Sequence, residues 1–170
     1  MHAKRILVPV TLSDGSLSSV ILGARLAQEL SATIVLFHVL PLGVPFRHGE
    51  VLQRLHQLAA QASLPASVEY LIGEGSPAEE IIWQAKLLPA DAIVMSTHAC
   101  PRCLAWLHRQ TAREVLRRLT CPIWLVAPRR HGEAVVVTIH EKAEGVLPKS
   151  VKHSIFSPTF SIYRPIPPVF

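Results

Sequence analysis

Residues 98–103 of this 170-residue chain read His-Ala-Cys-Pro-Arg-Cys, placing an imidazole and two thiols within six positions. A helix N-terminus or a nearby arginine lowers a thiol pKa, so Cys100, two residues from Arg102, is a candidate reactive thiolate. His98, Cys100 and Cys103 also offer three metal ligands, with His108 or Cys121 as a fourth. A single Cys-x-x-Cys is a weak signal, because structural zinc sites normally use two such pairs. The simpler expectation is a loop filled by small residues, with no metal and no cofactor.

Other polar groups point to structure. Ser13, Ser16 and Ser18 suit a turn and a helix cap, His38 lies in an apolar stretch, and Asp91 opens one. Cys121 precedes Pro122 at the entry to another apolar run, where burial would make it inert. No nucleophile is paired with a base in any recognisable spacing, so the chain is not expected to be an enzyme. Glycine is scarce: 8 against 14 prolines, with none between Ser76 and His131. A loop that wraps phosphate with its backbone normally needs glycine, so such a loop in that half would be unusual.

Composition narrows the classes. Hydrophobic residues at 49% with 17% charged residues exclude a disordered chain and suffice for a core. Mean hydropathy is +0.32, yet no apolar run approaches the ~18 residues of a membrane span. No signal peptide is evident at the N-terminus, and a cytoplasmic location is expected. The net charge is +5, and Arg102, Arg109, Arg113, Arg117 and Arg118 surround the single Glu114. Neither exposed aromatics nor a reading motif accompanies these arginines, so a solvated helix face is expected, without nucleic acid or membrane as partner.

The elements that would position these groups alternate. Arg5–Val10 is a short apolar run suited to a strand buried on both faces. After the turn Thr11–Gly15, apolar residues at Leu17, Val20, Ile21, Ala24 and Ala27 give a helix from Ser16 to Leu30. A strand at Thr33–Val39, a helix over Leu52–Ala62 and a strand at Ser67–Ile72 follow. Ser76-Pro77-Ala78-Glu79 reads as a capping box opening a third helix that continues past Ala85. Asp91–Ser96 is the fourth strand, Ala112–Leu119 marks the fourth helix, and Pro122–Val126 is the fifth strand.

This pattern predicts an α/β fold: an open parallel five-stranded sheet, helices on both faces, wound in a flavodoxin-like order. Ligands in such sheets bind beyond the strands' carboxyl ends, here Thr11–Gly15 and Ser96–Cys103. Residues 1–130 form the domain and 131–170 a C-terminal extension. Within it Ala134–His140 suits a further edge strand, and the Pro- and aromatic-rich remainder reads as a poorly ordered extension or a docking segment.

Three segments resemble the universal stress protein family. RILVPVTLSDGSLSSVILGARLA is similar to the family's opening strand, turn and helix. GSPAEEIIWQA with PADAIVMSTH resembles its third helix and fourth strand, and TAREVLRRLTCPIWLVAP its closing helix and strand. The resemblance spans residues 4–128. It implies a non-catalytic stress-response or regulatory module and a homodimer formed through the last strand, at Ile123, Trp124, Leu125 and Val126. An apolar edge strand left open is an aggregation hazard, which suits that role; the alternative occupant of the edge is the chain's own Ala134–His140.

Members of the family that bind ATP carry an Asp after the first strand and a G-x-x-G-x9-G-[ST] loop after the fourth. In this sequence the Asp position is Thr11, the glycines become Ser96, Ala99 and Arg109, and the terminal hydroxyl residue becomes Gln110. The resemblance carries Pro9, Val39, Met95 and Thr111 over as neighbouring nucleotide-site positions. Every signature position is substituted. The expectation is a domain that works through dimerisation and protein interaction without ATP. The alternative is ATP or another anionic ligand held by Arg102 and Arg109, and a redox or metal site at Cys100 and Cys103 is the third reading.

Overall fold

The computed structural model of the chain describes residues 4–12, 15–43, 48–64, 67–96, 105–128, 134–139 and 153–156. Seven strands and four helices follow in the order β1 (Arg5–Pro9), α1 (Ser16–Leu30), β2 (Thr33–Leu40), α2 (His48–Gln61), β3 (Glu69–Glu74), α3 (Pro77–Leu87), β4 (Ala92–Ser96), α4 (Ala105–Arg118), β5 (Ile123–Pro128), β6 (Ala134–Ile139) and β7 (His153–Phe156). They form one sheet of order β3-β2-β1-β4-β5-β6-β7, parallel from β3 to β5 and antiparallel beyond.

The predicted class therefore holds, and the winding is specified further. In a flavodoxin-like order the third strand lies beside the first. Here β4 does, and the five parallel strands run 3-2-1-4-5. The reversal of winding falls beside β1 in either order, here between the first and fourth strands, so the two lips expected to border a ligand are adjacent.

Alternation along each strand builds two cores. Ile6, Val8, Val10, Ile34, Leu36, Ala92, Val94 and Val126 pack with residues of α1 and α2. Leu7, Val35, Phe37, Ile93, Met95 and Ile123 pack with residues of α3 and α4. A strand with helices on both faces must be apolar at every position, which is why these strands read as continuous runs.

Helices α2 and α4 begin earlier than the sequence reading, at His48 and Ala105, and α3 differs in a local detail. Ser76 is the N-cap of α3 and Pro77 its first residue, yet the Ser76 side chain makes no capping bond. Its carbonyl accepts the Glu80 N–H at 3.0 Å, the ordinary first bond of the helix, and Glu79 forms an ion pair with Arg118 of α4. A partner on a neighbouring helix has taken the carboxylate that the capping box would use. Arg117 pairs with Glu114 at 2.9 Å while its side chain stays 74% exposed, and Arg118 also lies 3.7 Å from Glu114. The described part of the arginine cluster is an exposed, ion-paired helix surface.

At the amino end of the sheet Asp91 clamps two strands. Its carboxylate accepts the Arg5 N–H at 2.8 Å, and its own N–H donates to the Arg5 carbonyl at 2.9 Å. Strand β3 begins two residues later than the sequence reading, because pairing with β2 starts at Val35↔Glu69 and runs to Leu40↔Glu74.

The extension supplies two strands. β6 pairs with β5 from Ile123↔Ile139 to Pro128↔Ala134, matching the expected edge strand within one residue. Strand β7, at His153–Phe156, corrects the reading of that stretch as irregular, since it pairs with β6 from Ala134↔Phe156 to Val137↔His153. The remainder of the tail, 157–170, lies outside the described residues.

Helix α1 sits against β1 at Gly23. A Cβ there would lie 2.7 Å from Val8 Cγ2 and 3.3 Å from Ile34 Cδ1. Both neighbours are buried, and valine is stiff about χ1, so neither yields readily. Helix propensity alone would make Gly23→Ala stabilising by about 1 kcal/mol. Overpacking reverses the sign: the variant is expected to lose about 1–2 kcal/mol in urea unfolding, and a gain in stability would contradict the close approach.

Candidate functional site

At the carboxyl end of β1 the backbone leaves the sheet through a set of short hydrogen bonds. The Val10 N–H donates to the Phe37 carbonyl at 2.8 Å, keeping the residue after β1 attached to β2. The Val10 carbonyl lies 2.8 Å from Nδ1 of His38. Because a carbonyl only accepts, Nδ1 carries the proton and the neutral ring leaves Nε2 as the unprotonated nitrogen.

Thr11 turns toward the helix. Its N–H donates to the Ser16 hydroxyl oxygen at 3.0 Å, and the two hydroxyls lie 3.1 Å apart. Ser16 is 1% exposed and Ser19 fully buried, with the Ser19 hydroxyl donating to the Ser16 carbonyl at 2.8 Å. Between them Leu12 takes a positive φ of 59°, which costs a residue with a Cβ roughly 1–2 kcal/mol. Gly15 is the N-cap of α1 and supplies no side-chain bond. The first turn of α1 is thus anchored by Ser16 reaching back to Thr11, a role that sequence spacing assigns only loosely to capping.

The remaining candidate positions separate by depth. Pro9 and Val39 are half-buried near the carboxyl ends of β1 and β2, in register with Phe37 and Gly73 respectively. Met95 is 4% exposed within the α3/α4 core, so it lines the floor at most. Ser96 closes β4 half-buried, in register with Val126 of β5. On α4, Gln110 is exposed and Thr111 is 8% exposed.

Ala99, His98, Cys100, Arg102 and Cys103 lie outside the described residues. Arg109 and His108 are described only as backbone positions on α4. Among the described residues, no group of three or more His, Cys, Asp or Glu side chains converges as for a metal. Cys121 is half-buried, and burial raises its thiol pKa, so at neutral pH it is a poor nucleophile. The structure thus brings Thr11, Ser16 and His38 together at one lip and sets Ser96 on the neighbouring parallel strand of the other.

Sequence reasoning gives His38 and Ser16 structural roles, Ser16 as a turn or cap residue. It did not find Leu12 or Ser19, whose importance comes from a backbone angle and a buried bond with no compositional trace. Burial lowers the His38 pKa from its ordinary 6.5, outweighing the opposing effect of the Val10 carbonyl. The folded state therefore binds fewer protons than the unfolded chain between its own lower pKa and 6.5. Stability contributed by neutral His38 is complete above that window and is lost as pH falls from 6.5 through the folded-state value. His38→Asn keeps an N–H donor for the Val10 carbonyl without the titration. The stability difference between pH 7.5 and pH 5.5 in urea unfolding (roughly one unit either side of the ordinary value) should shrink in this variant; an unchanged difference would remove His38 as its source.

Known proteins share this fold. The model of the universal stress protein family matches residues 2–127. A universal stress protein solved in complex with cAMP superposes with a TM-score of 0.61 at 18% identity, covering 75% of this chain and 98% of its own. The universal stress protein from Archaeoglobus fulgidus in complex with dAMP gives 0.55 at 19% identity, over 74% and 98%. The universal stress protein UspA from Lactobacillus plantarum gives 0.53 at 20%, over 76% and 99%. No helix among the described residues is long and apolar enough to cross a membrane. With a five-stranded parallel sheet of order 3-2-1-4-5, the winding reversal beside β1 and a family match over 2–127, the chain belongs to the universal stress protein family.

Proposed function

We propose that this universal stress protein acts as a non-catalytic module in a stress response or its regulation, through contacts with other proteins and without bound ATP. The observation that carries the reading is the state of Thr11. The position where ATP-binding relatives place an acceptor for ribose holds a hydroxyl already engaged with buried Ser16. A ribose hydroxyl would have to displace a bond worth about 0.5–1.5 kcal/mol, and position 11 itself offers no carboxylate in return. The substitutions at Ser96, Ala99, Arg109 and Gln110 replace the signature's three glycines and its terminal hydroxyl residue.

An exposed apolar surface supports the interaction reading. Trp83 and Leu87, one turn apart on α3, are 63% and 61% exposed. Large apolar side chains adjacent on a helix surface suit a protein contact better than solvent. The dimer edge expected at Ile123, Trp124, Leu125 and Val126 is paired with β6 here, so self-association through β5 requires β6 to move.

A second reading keeps a nucleotide or another anion in the crevice through Arg102 and Arg109. The relatives solved with cAMP and dAMP favour it. Isothermal titration with ATP and magnesium separates the two readings. No binding at micromolar concentrations is expected, and clear micromolar affinity would overturn the reading without ATP. If binding appears, its loss in Arg109→Ala would assign it to the arginine-based alternative.

A further inference from the structure

Helix α3 turns Ile81, Ile82 and Ala85 into the core and leaves Trp83 and Leu87 outside, one turn apart on its outer face. Leu30, Leu42 and Leu52, the other exposed large apolar residues among those described, lie on separate elements. The Trp83/Leu87 pair is therefore the one exposed apolar stripe along a helix among the described residues. Residues 157–170 have a matching composition. Ten of these 14 residues are apolar, aromatic or proline, and Arg164 is the single charge. Such a segment lacks the charge that keeps a linker in solvent.

We propose that residues 157–170 fold back over α3 of the same chain and cover Trp83 and Leu87. Four prolines preset an extended backbone, so little conformational freedom is lost on docking, and proline rings pack well on an aromatic face. Coverage of this patch goes beyond the functional reading above and is separate from nucleotide binding. A partner protein that uses Trp83 and Leu87 must first displace the tail.

Strand β7 releases the chain where this path begins. Phe156 pairs with Ala134, itself opposite Pro128 at the end of β5, so residue 157 follows at the carboxyl end of the parallel strands. Helix α3 follows β3 and starts at that same end, in contact with β2 and β3. β7 and β2 are five strand spacings apart, about 24 Å at ~4.8 Å each. Fourteen residues at ~3.3 Å reach about 46 Å. That leaves roughly 20 Å for the step onto the helix layer and the course along α3.

Charge sets the direction. Glu79 and Glu80 stand in the first turn of α3, and Glu80 lies against Gly73 and Gly75. Arg118 engages Glu79, so Glu80 is the carboxylate matched to Arg164. Trp83 and Leu87 lie ~5 and ~11 Å beyond Glu80 along the helix axis. In an extended polyproline conformation Ile166 and Pro168 lie ~6 and ~12 Å beyond Arg164. Acid before apolar on the helix thus meets base before apolar on the tail.

The test uses the full chain, with p-benzoyl-phenylalanine in place of Trp83 to keep an aromatic side chain at the surface. On irradiation, cross-links should join position 83 to peptides within 157–170. In a mixture of light and heavy isotope-labelled protein, each cross-link should carry one label only. Arg164→Glu should lower the yield by up to about fivefold, the weight of an exposed ion pair, and Arg164→Lys should restore it. The indole N–H resonance of Trp83, identified through Trp83→Phe, should shift in Ile166→Asp. Three results would overturn the inference: no cross-link to 157–170, cross-links of mixed label (a second copy as occupant), or a Trp83 resonance indifferent to Ile166→Asp. Should Ile166→Asp fail to fold, the labelled cross-link decides the matter.

Discussion

The exit of the chain from β1 is the constraint on which the rest of the site depends. β1 lies inside the sheet with helices on both faces, so its last residues must leave without orphaning backbone groups. Val10 does so by bonding the Phe37 carbonyl and His38, and Thr11 by bonding Ser16. These contacts set where α1 begins, and α1 in turn packs on β1 at Gly23 with no room for a methyl group. The Thr11–Ser16 bonds therefore tie the two ends of this turn together. Leu12 is held at positive φ within it, a local cost carried by the surrounding bonds.

The same contacts bear on chemistry. In an open parallel sheet a ligand meets the backbone at the carboxyl ends where the winding reverses. Here one lip is occupied by hydroxyl–hydroxyl and imidazole–carbonyl bonds that satisfy each other internally. A neutral His38 and a buried Ser16 bring no charge to the crevice. The sheet's other end shows related economy: Asp91 meets both backbone groups of Arg5, which ties the first residues of the β1 strand to the entry of β4.

Much of this was legible in advance where a residue type has one physical use. Continuous apolar runs identified the buried strands, three- and four-residue spacing identified α1, and Asp91 at a strand entry was read as structural. The errors have definite causes. The Ser76–Glu79 capping box was read from spacing, but Arg118 on α4, 39 residues away, engages Glu79. The start of β3 moved because β2 sets its register. Strand β7 was missed because four residues, His-Ser-Ile-Phe, carry too little period to stand out, and pairing with β6 supplies what local pattern does not.

By itself the sequence determined the fold class and the family, because burial periodicity and the family's sequence pattern are properties of the chain's order. The glycine gap from Ser76 to His131 is visible there without coordinates. Tertiary structure alone decided which strand lies beside β1, what Thr11 bonds to, and which of two occupants takes the β5 edge. Each of these is a competition between partners distant in sequence. Such competitions are resolved by register, distance and linker length, none of which local composition encodes.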